Sequence, residues 1–214
     1  MISEMISTRL YSGRTPQARQ SERRERLWKA GRRLFGTIDY QRVTVLSICK
    51  EAGLTQRYFY ESYTNTESLF DEVHCRISDR IASMIAITEI ARQAGAAEGR
   101  RGLLAAYFTE IRRDPVAARV FLAEPAGDAF ATHQVRLRWQ QIFGSLLMSS
   151  GSAPASELPA FVRNGLISAL RGISAAWLEE GFATSIDGVT EESLVFAELF
   201  NHRRCMTASG IPAN

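Results

Sequence analysis

Residues 43–70, VTVLSICKEAGLTQRYFYESYTNTESLF, constrain this 214-residue chain more than any other stretch. Val45, Ile48, Cys49 and Ala52 recur at i, i+3, i+4 and i+7, one face of a helix. Gly53 follows, a residue that takes positive φ at no steric cost, and predicts a sharp end to that helix. Leu54 turns back toward the core, and Thr55 is placed to cap a second helix through its hydroxyl. In that helix Phe59 and Tyr63 point inward, which leaves Gln56, Arg57, Tyr58, Tyr60 and Glu61 facing out. Two short helices about a glycine turn, the second exposing Gln, Arg and Tyr, form the geometry that lays a helix into the major groove of DNA. Such side chains suit base edges and phosphates. An ordinary helical hairpin with a solvated polar face is the plainer alternative.

At these residues the chain resembles the tetracycline-repressor (TetR) family of bacterial transcriptional regulators. The family's pattern is Thr, then Ile-Ala-x-x-Ala-Gly-Val-Ser, then Leu/Phe-Tyr-x-x-Phe. Here it stands as Thr44, then Ile48-Cys49-Lys50-Glu51-Ala52-Gly53-Leu54-Thr55, then Phe59-Tyr60-Glu61-Ser62-Tyr63. The motif resemblance covers about residues 22–73. Cys49 takes the place of a small alanine, and Thr66 that of a lysine that grips phosphate in most members. Gln56, Arg57 and Tyr58 open the second helix, where side chains reach base edges. Thr44, Thr55 and Tyr60 complete the expected DNA-contacting set, Thr44 and Tyr60 as phosphate contacts.

The placement of charge agrees with a polyanionic partner. Residues 1–66 carry 12 Lys/Arg against 6 Asp/Glu, whereas residues 67–214 carry 14 against 17. A basic first third on a mildly acidic remainder is the polarity of a protein that turns one end to nucleic acid. The main rival, a helical interaction module whose N-terminal hairpin binds protein, has no need of that excess.

Along the chain the pattern predicts an all-α protein in three parts. Residues 1–20, polar and aperiodic, read as a flexible basic arm; residues 21–68 form the helix-turn-helix DNA-binding domain, and residues 69–214 a helical ligand-binding and dimerisation domain. In the second part a first helix starts at Ser21, with Leu27, Gly31, Leu34 and Phe35 on its core face. Thr64 and Glu67 have the spacing of a capping box for a long helix that carries Leu69, Val73, Ile77, Ile81 and Ile85 toward Ala94. Further helices are expected around Leu103–Ile111, Val120–Leu122, Asp128–Ser149, Glu157–Gly181 and Thr190–Arg203. No stretch alternates with period two between hairpin turns, so no strand is expected.

The final helices predict a homodimer. Phe161, Leu166 and Leu170 share a broad apolar face, and Leu194, Val195, Leu199 and Phe200 make the last helix apolar on more than one side. The resemblance implies a four-helix bundle between two copies, whose two-fold symmetry would match a palindromic operator. In the middle helices Tyr107, Phe108, His133, Arg136, Trp139, Phe143, Asn164 and Trp177 mix aromatic bulk with polar groups, as small-molecule sites do. Each is equally what a helical core and its rim look like. The expected effector is small and partly apolar.

Enzyme readings fail on inventory. His74, His133 and His202 are scattered, none with a second histidine at i+3 or i+4 for a metal. Neither a glycine-rich phosphate loop nor a Gly-x-Ser-x-Gly elbow occurs, and no motif asks for a cofactor. No apolar run approaches the ~18–20 residues of a membrane span. The first residues lack a stretch of signal-peptide length, and Cys49, Cys75 and Cys205 are odd in number, so a reducing cytoplasm is expected. The whole therefore reads as a ligand-responsive transcriptional regulator, most simply a repressor that a small molecule releases from its operator.

Overall fold

The computed structural model describes residues 15–90, 96–123, 133, 137–140 and 160–195, all helical or connecting. Helix α1 (Pro16–Phe35) starts five residues before the expected Ser21, so the end of the supposed arm is helical. Thr15 accepts the Ala18 N–H at 3.1 Å, and Pro16 at N1 loses no bond the helix needs. Leu27, Ala30, Gly31 and Phe35 form its buried stripe. A Cβ on Gly31 would stand 2.8 Å from Leu69 Cδ2, so any larger residue there would push the Leu69 side chain aside.

A single turn at Tyr40–Arg42 leads into α2 (Val45–Ala52) and α3 (Gln56–Tyr60). The long α4 (Thr66–Ile90) spans about 37 Å at 1.5 Å per residue. Its cap differs from the expected Thr64–Glu67 pair. Asn65 Oδ1 accepts the Ser68 N–H at 2.8 Å and Ser68 Oγ accepts the Asn65 N–H at 3.3 Å, a box shifted one residue along. The expected core stripe is present: Leu69, Val73, Ile77, Ile81 and Ile85 are all buried.

Helices α5 (Ala96–Arg113), α6 (Pro115–Leu122) and α7 (Ala160–Glu179) follow. Asp114 caps α6 by accepting the Ala117 N–H at 3.0 Å, again with proline at N1. Residues 137–140 and 186–195 are also helical, the latter starting before the expected Thr190 because Ser185 Oγ accepts the Gly188 N–H. The rest of the expected Asp128–Ser149 and Thr190–Arg203 helices lies outside the described residues.

Helix α6 sits at the hub, against α1, α4, α5 and α7. The buried apolar side chains form one cluster from Leu27 to Val189. At the hub lies a polar clamp. His74 Nε2 donates to the Phe121 carbonyl at 3.2 Å, and its Nδ1 accepts from the Ser78 hydroxyl at 3.2 Å. Trp139 Nε1 donates to the same carbonyl at 3.0 Å. Burial in this cage pushes the imidazole pKa down to about 4, with the Arg138 charge adding to the effect, so His74 is neutral. Among the described residues no helix is long and apolar enough to cross a membrane.

Candidate nucleic-acid interface

The turn between α2 and α3 is held from three sides. Thr44 caps α2 by a reciprocal box, its Oγ1 accepting the Ser47 N–H at 3.1 Å while Ser47 Oγ accepts the Thr44 N–H at 3.0 Å. Ile48, Cys49 and Ala52 are buried, and burial pushes the Cys49 thiol pKa up, which makes it an inert packing group. Gly53 adopts φ 61°, as its position requires. The carbonyls left open at the end of α2 are then taken by α1: Arg26 donates to Ala52 O at 2.7 Å and to Gly53 O at 3.1 Å. Sequence reading missed Arg26, because nothing local marks which of several arginines in one helix reaches across to another.

On this frame α3 presents a polar ridge. Gln56 and Arg57 are exposed, and Tyr60 keeps 58% of its surface open. Arg57 is held back by Glu61 at 3.2 Å, one turn on. Tyr58 departs from the outward placement expected of it: it is half-buried, with the Arg23 guanidinium 4.4 Å from its ring centre. Thr55 stands at the N-cap with extended backbone, yet its hydroxyl makes no cap bond, contrary to expectation. Thr44 is exposed beside α3, its oxygen engaged as an acceptor and its hydroxyl proton left to donate.

The basic residues divide into two groups that composition could not separate. Most arginines of α1 are internal ties. Arg24 reaches Ser62 O at 3.0 Å and pairs with Glu72, Arg32 pairs with Asp114, Arg33 with Glu51, and Arg23 lies 3.6 Å from Glu61. Burial alone would raise the Glu72 pKa, but hydrogen bonds from Arg24 and Arg76, with the Arg24 charge, hold it below its usual value. By contrast Arg42 and Lys50 are exposed with no acidic partner among the described residues. They stand beside Thr44 and along α2, next to an exposed Leu46. The free positive charge at the α2–α3 face is therefore smaller than the N-terminal excess implies, and better placed.

The residues expected to line a ligand pocket are divided between the interior, the surface and positions outside the described residues. Tyr107, Phe108, Trp139 and Trp177 are buried. Tyr107 hydroxyl pairs with Ser174 Oγ at 2.8 Å, and Trp177 donates to Thr184 O at 2.9 Å with its ring edge-on to Phe108. His133 is exposed, Asn164 accepts from Gln140 at the surface, and Arg136 and Phe143 lie outside the described residues. Of the expected dimer residues, Leu166 and Leu170 are covered within the chain and Leu194 is half-buried. Phe161 and Val195 are 77% and 55% exposed, while Leu199 and Phe200 lie outside the described residues. Phe161 heads an outer face of α7 that continues through Gly165, Ser168, Gly172 and Ala176, all exposed. A Cβ added at Gly165 or Gly172 would meet nothing within 4 Å. That small-residue face carries no periodic apolar signal, so the sequence pattern did not single it out.

Residues 27–73 match the family model described as bacterial regulatory proteins, tetR family. No curated protein sequence matches the chain. Among solved structures, the fatty acid degradation regulator FadR from Bacillus halodurans superposes with TM-score 0.66 at 16% identity, over 86% of this chain and 95% of that one. A TetR-like transcriptional regulator from Rhodococcus gives TM-score 0.62 at 18% identity, over 86% and 96%. FadR from Bacillus subtilis, in complex with stearoyl-CoA, gives 0.61 at 16% identity, over 81% and 96%. At these identities the likeness is one of fold. The helix-turn-helix segment at residues 27–73 thus matches the tetR family of bacterial regulatory proteins, and the chain as a whole is similar in fold to these solved regulators.

Proposed function

We propose that this regulator is a repressor that binds a palindromic operator as a homodimer and is released by a small, partly apolar molecule held in its C-terminal domain. The observation that carries the reading is the ridge of Gln56, Arg57 and Tyr60, exposed on a helix whose seat is locked by Gly53 and Arg26. Gln56 and Arg57 reach base edges, while Tyr58 braces the helix from beneath Arg23. Thr44, Thr55 and Tyr60 donate hydroxyls to phosphates, and Arg42 and Lys50 add charge there. Residues 21–68 are the reading domain and residues 69–214 the sensing and pairing domain, in the cytoplasm where the operator lies.

Pairing is supported by the face of α7 that begins at Phe161, together with the exposed Val195. Small residues let two helix backbones approach closely, and an exposed phenylalanine beside them loses water when a second copy covers it. Effector and operator then act as reciprocal antagonists through α4, each weakening the other by one coupling free energy. A mobility-shift assay with DNA from the gene's own neighbourhood tests this. A discrete complex that Arg57→Ala abolishes on one fragment, while random DNA binds the variant as before, is the expected result. No preference for any fragment would overturn the reading.

A further inference from the structure

A cavity of about 120 Å³ lies where α1 meets α4, α5 and α6, away from the aromatic core and from the α3 ridge. Its floor is apolar: Ile77, Ile81, Ile111 and Ala118 are buried there, with Ala117 at the side. Its rim is Trp28, Arg32, Arg76 and Arg80. From this geometry we infer a second small-molecule site, which takes a compact carboxylic acid with an apolar body of about one aromatic ring.

Two acids line the cavity, and each oxygen of both already accepts one hydrogen bond. Glu110 accepts from Arg80 at 3.4 Å and Arg113 at 3.1 Å. Asp114 accepts from Arg32 with one oxygen and from the Ala117 N–H with the other. Donors remain in surplus, since each guanidinium has five N–H groups. Among the described residues Arg32 spends on Asp114 alone and Arg80 on Glu110 alone. Among the described residues no acceptor meets the Trp28 Nε1–H, which is sealed from solvent, and the Arg76 guanidinium, itself paired with Glu25 and Glu72, lies 4.9 Å over the Trp28 ring. A buried donor without a partner is rare, and Trp28 is among the lining residues, so a ligand that offers acceptors suits the site. A carboxylate does so at the rim, where the guanidinium groups are part-exposed. The volume is of the order that holds one benzene ring (an apolar cavity of ~150 Å³ does so).

Occupancy bears on the reading domain because a carboxylate competes with Asp114 for Arg32, the tie from α1 to the start of α6. This consequence rests on the DNA-binding reading; occupancy itself does not.

The test uses the full chain and benzoate as probe, followed by the Trp28 indole N–H resonance, assigned with Trp28→Phe. Benzoate should move that resonance saturably, and benzylamine, of the same size but cationic, should not. Arg80→Gln should weaken benzoate by about tenfold, the loss of a charge-assisted bond. Ala117→Leu, which fills the cavity, should abolish the shift. Arg80→Gln decides alone should Ala117→Leu fail to fold. A resonance unmoved by benzoate, an equal shift with benzylamine, or full affinity in Arg80→Gln would overturn the site. Benzoate silence with operator binding intact would leave the regulator reading standing and remove only this site.

Discussion

At the scale of single residues, two side chains carry the sharpest consequences. Glu61 holds Arg57 at 3.2 Å and lies 3.6 Å from Arg23, so in the free protein Arg57, proposed to read bases, is partly neutralised. Glu61→Gln should free it and remove a negative charge from the DNA-facing side. Binding to any duplex should tighten, with less discrimination between operator and random sequence in competition titrations. His74 sets a pH dependence. Its folded pKa of about 4 lies below the ordinary 6.5, so the unfolded chain takes up the proton first as pH falls. Stability is therefore full above pH ~6.5 and is lost between there and pH ~4, by about 3 kcal/mol for this group. Urea unfolding at pH 7 and pH 4.5 should show that loss in the wild type and a much smaller one in His74→Gln. Equal losses would mean that other groups govern acid stability.

At the scale of elements, the helix-turn-helix depends on a residue outside it. Arg26→Ala strands the Ala52 and Gly53 carbonyls, a loss of about 1.5–3 kcal/mol for a bond from a charged donor. Hydrogen exchange should rise first in α2 and α3, and operator affinity should fall although no DNA contact is removed. Exchange unchanged in those helices would show that Gly53 alone holds the turn. The turn was legible because it is local: Thr44, Ile48, Ala52 and Gly53 state their roles by spacing within one segment. Ties between helices were not. Arg24 and Arg26 look alike in sequence, yet one meets Glu72 across 48 positions and the other meets the end of α2. Caps slipped by one residue for a related reason. Thr64, Asn65 and Thr66 are all good caps, and only the phase of α4 on its core decides for Asn65. The start of α1 at Thr15-Pro16 was legible from proline chemistry, but the neighbouring glycine and polar residues suggested an arm.

At the scale of the whole molecule, the apolar stripe of α4 was readable because burial and period coincide from Leu69 to Ile85. The ligand-site expectation fared differently, since aromatic residues suit a core and a pocket alike. Tyr107, Phe108, Trp139 and Trp177 are buried, while the junction cavity is lined by aliphatic, arginine and acidic side chains with Trp28, which no pattern in the sequence brings together. The face of α7 proposed for pairing was obscured because glycine and serine look like loop residues in sequence. If it is the seam, Phe161→Glu should give a monomer in sedimentation equilibrium with unchanged helix content, because the residue is exposed in one copy and buried charge is costly in two. A dimer of undiminished affinity would move the seam elsewhere. The central claim is that the α2–α3 face grips DNA through phosphates and reads it through α3. Its most direct test is the salt dependence of operator affinity in the wild type and in Lys50→Gln. The account predicts that log K falls linearly with log salt, by about 0.9 per phosphate neutralised, and that Lys50→Gln lowers the slope by about one contact. Affinity indifferent to salt would contradict it.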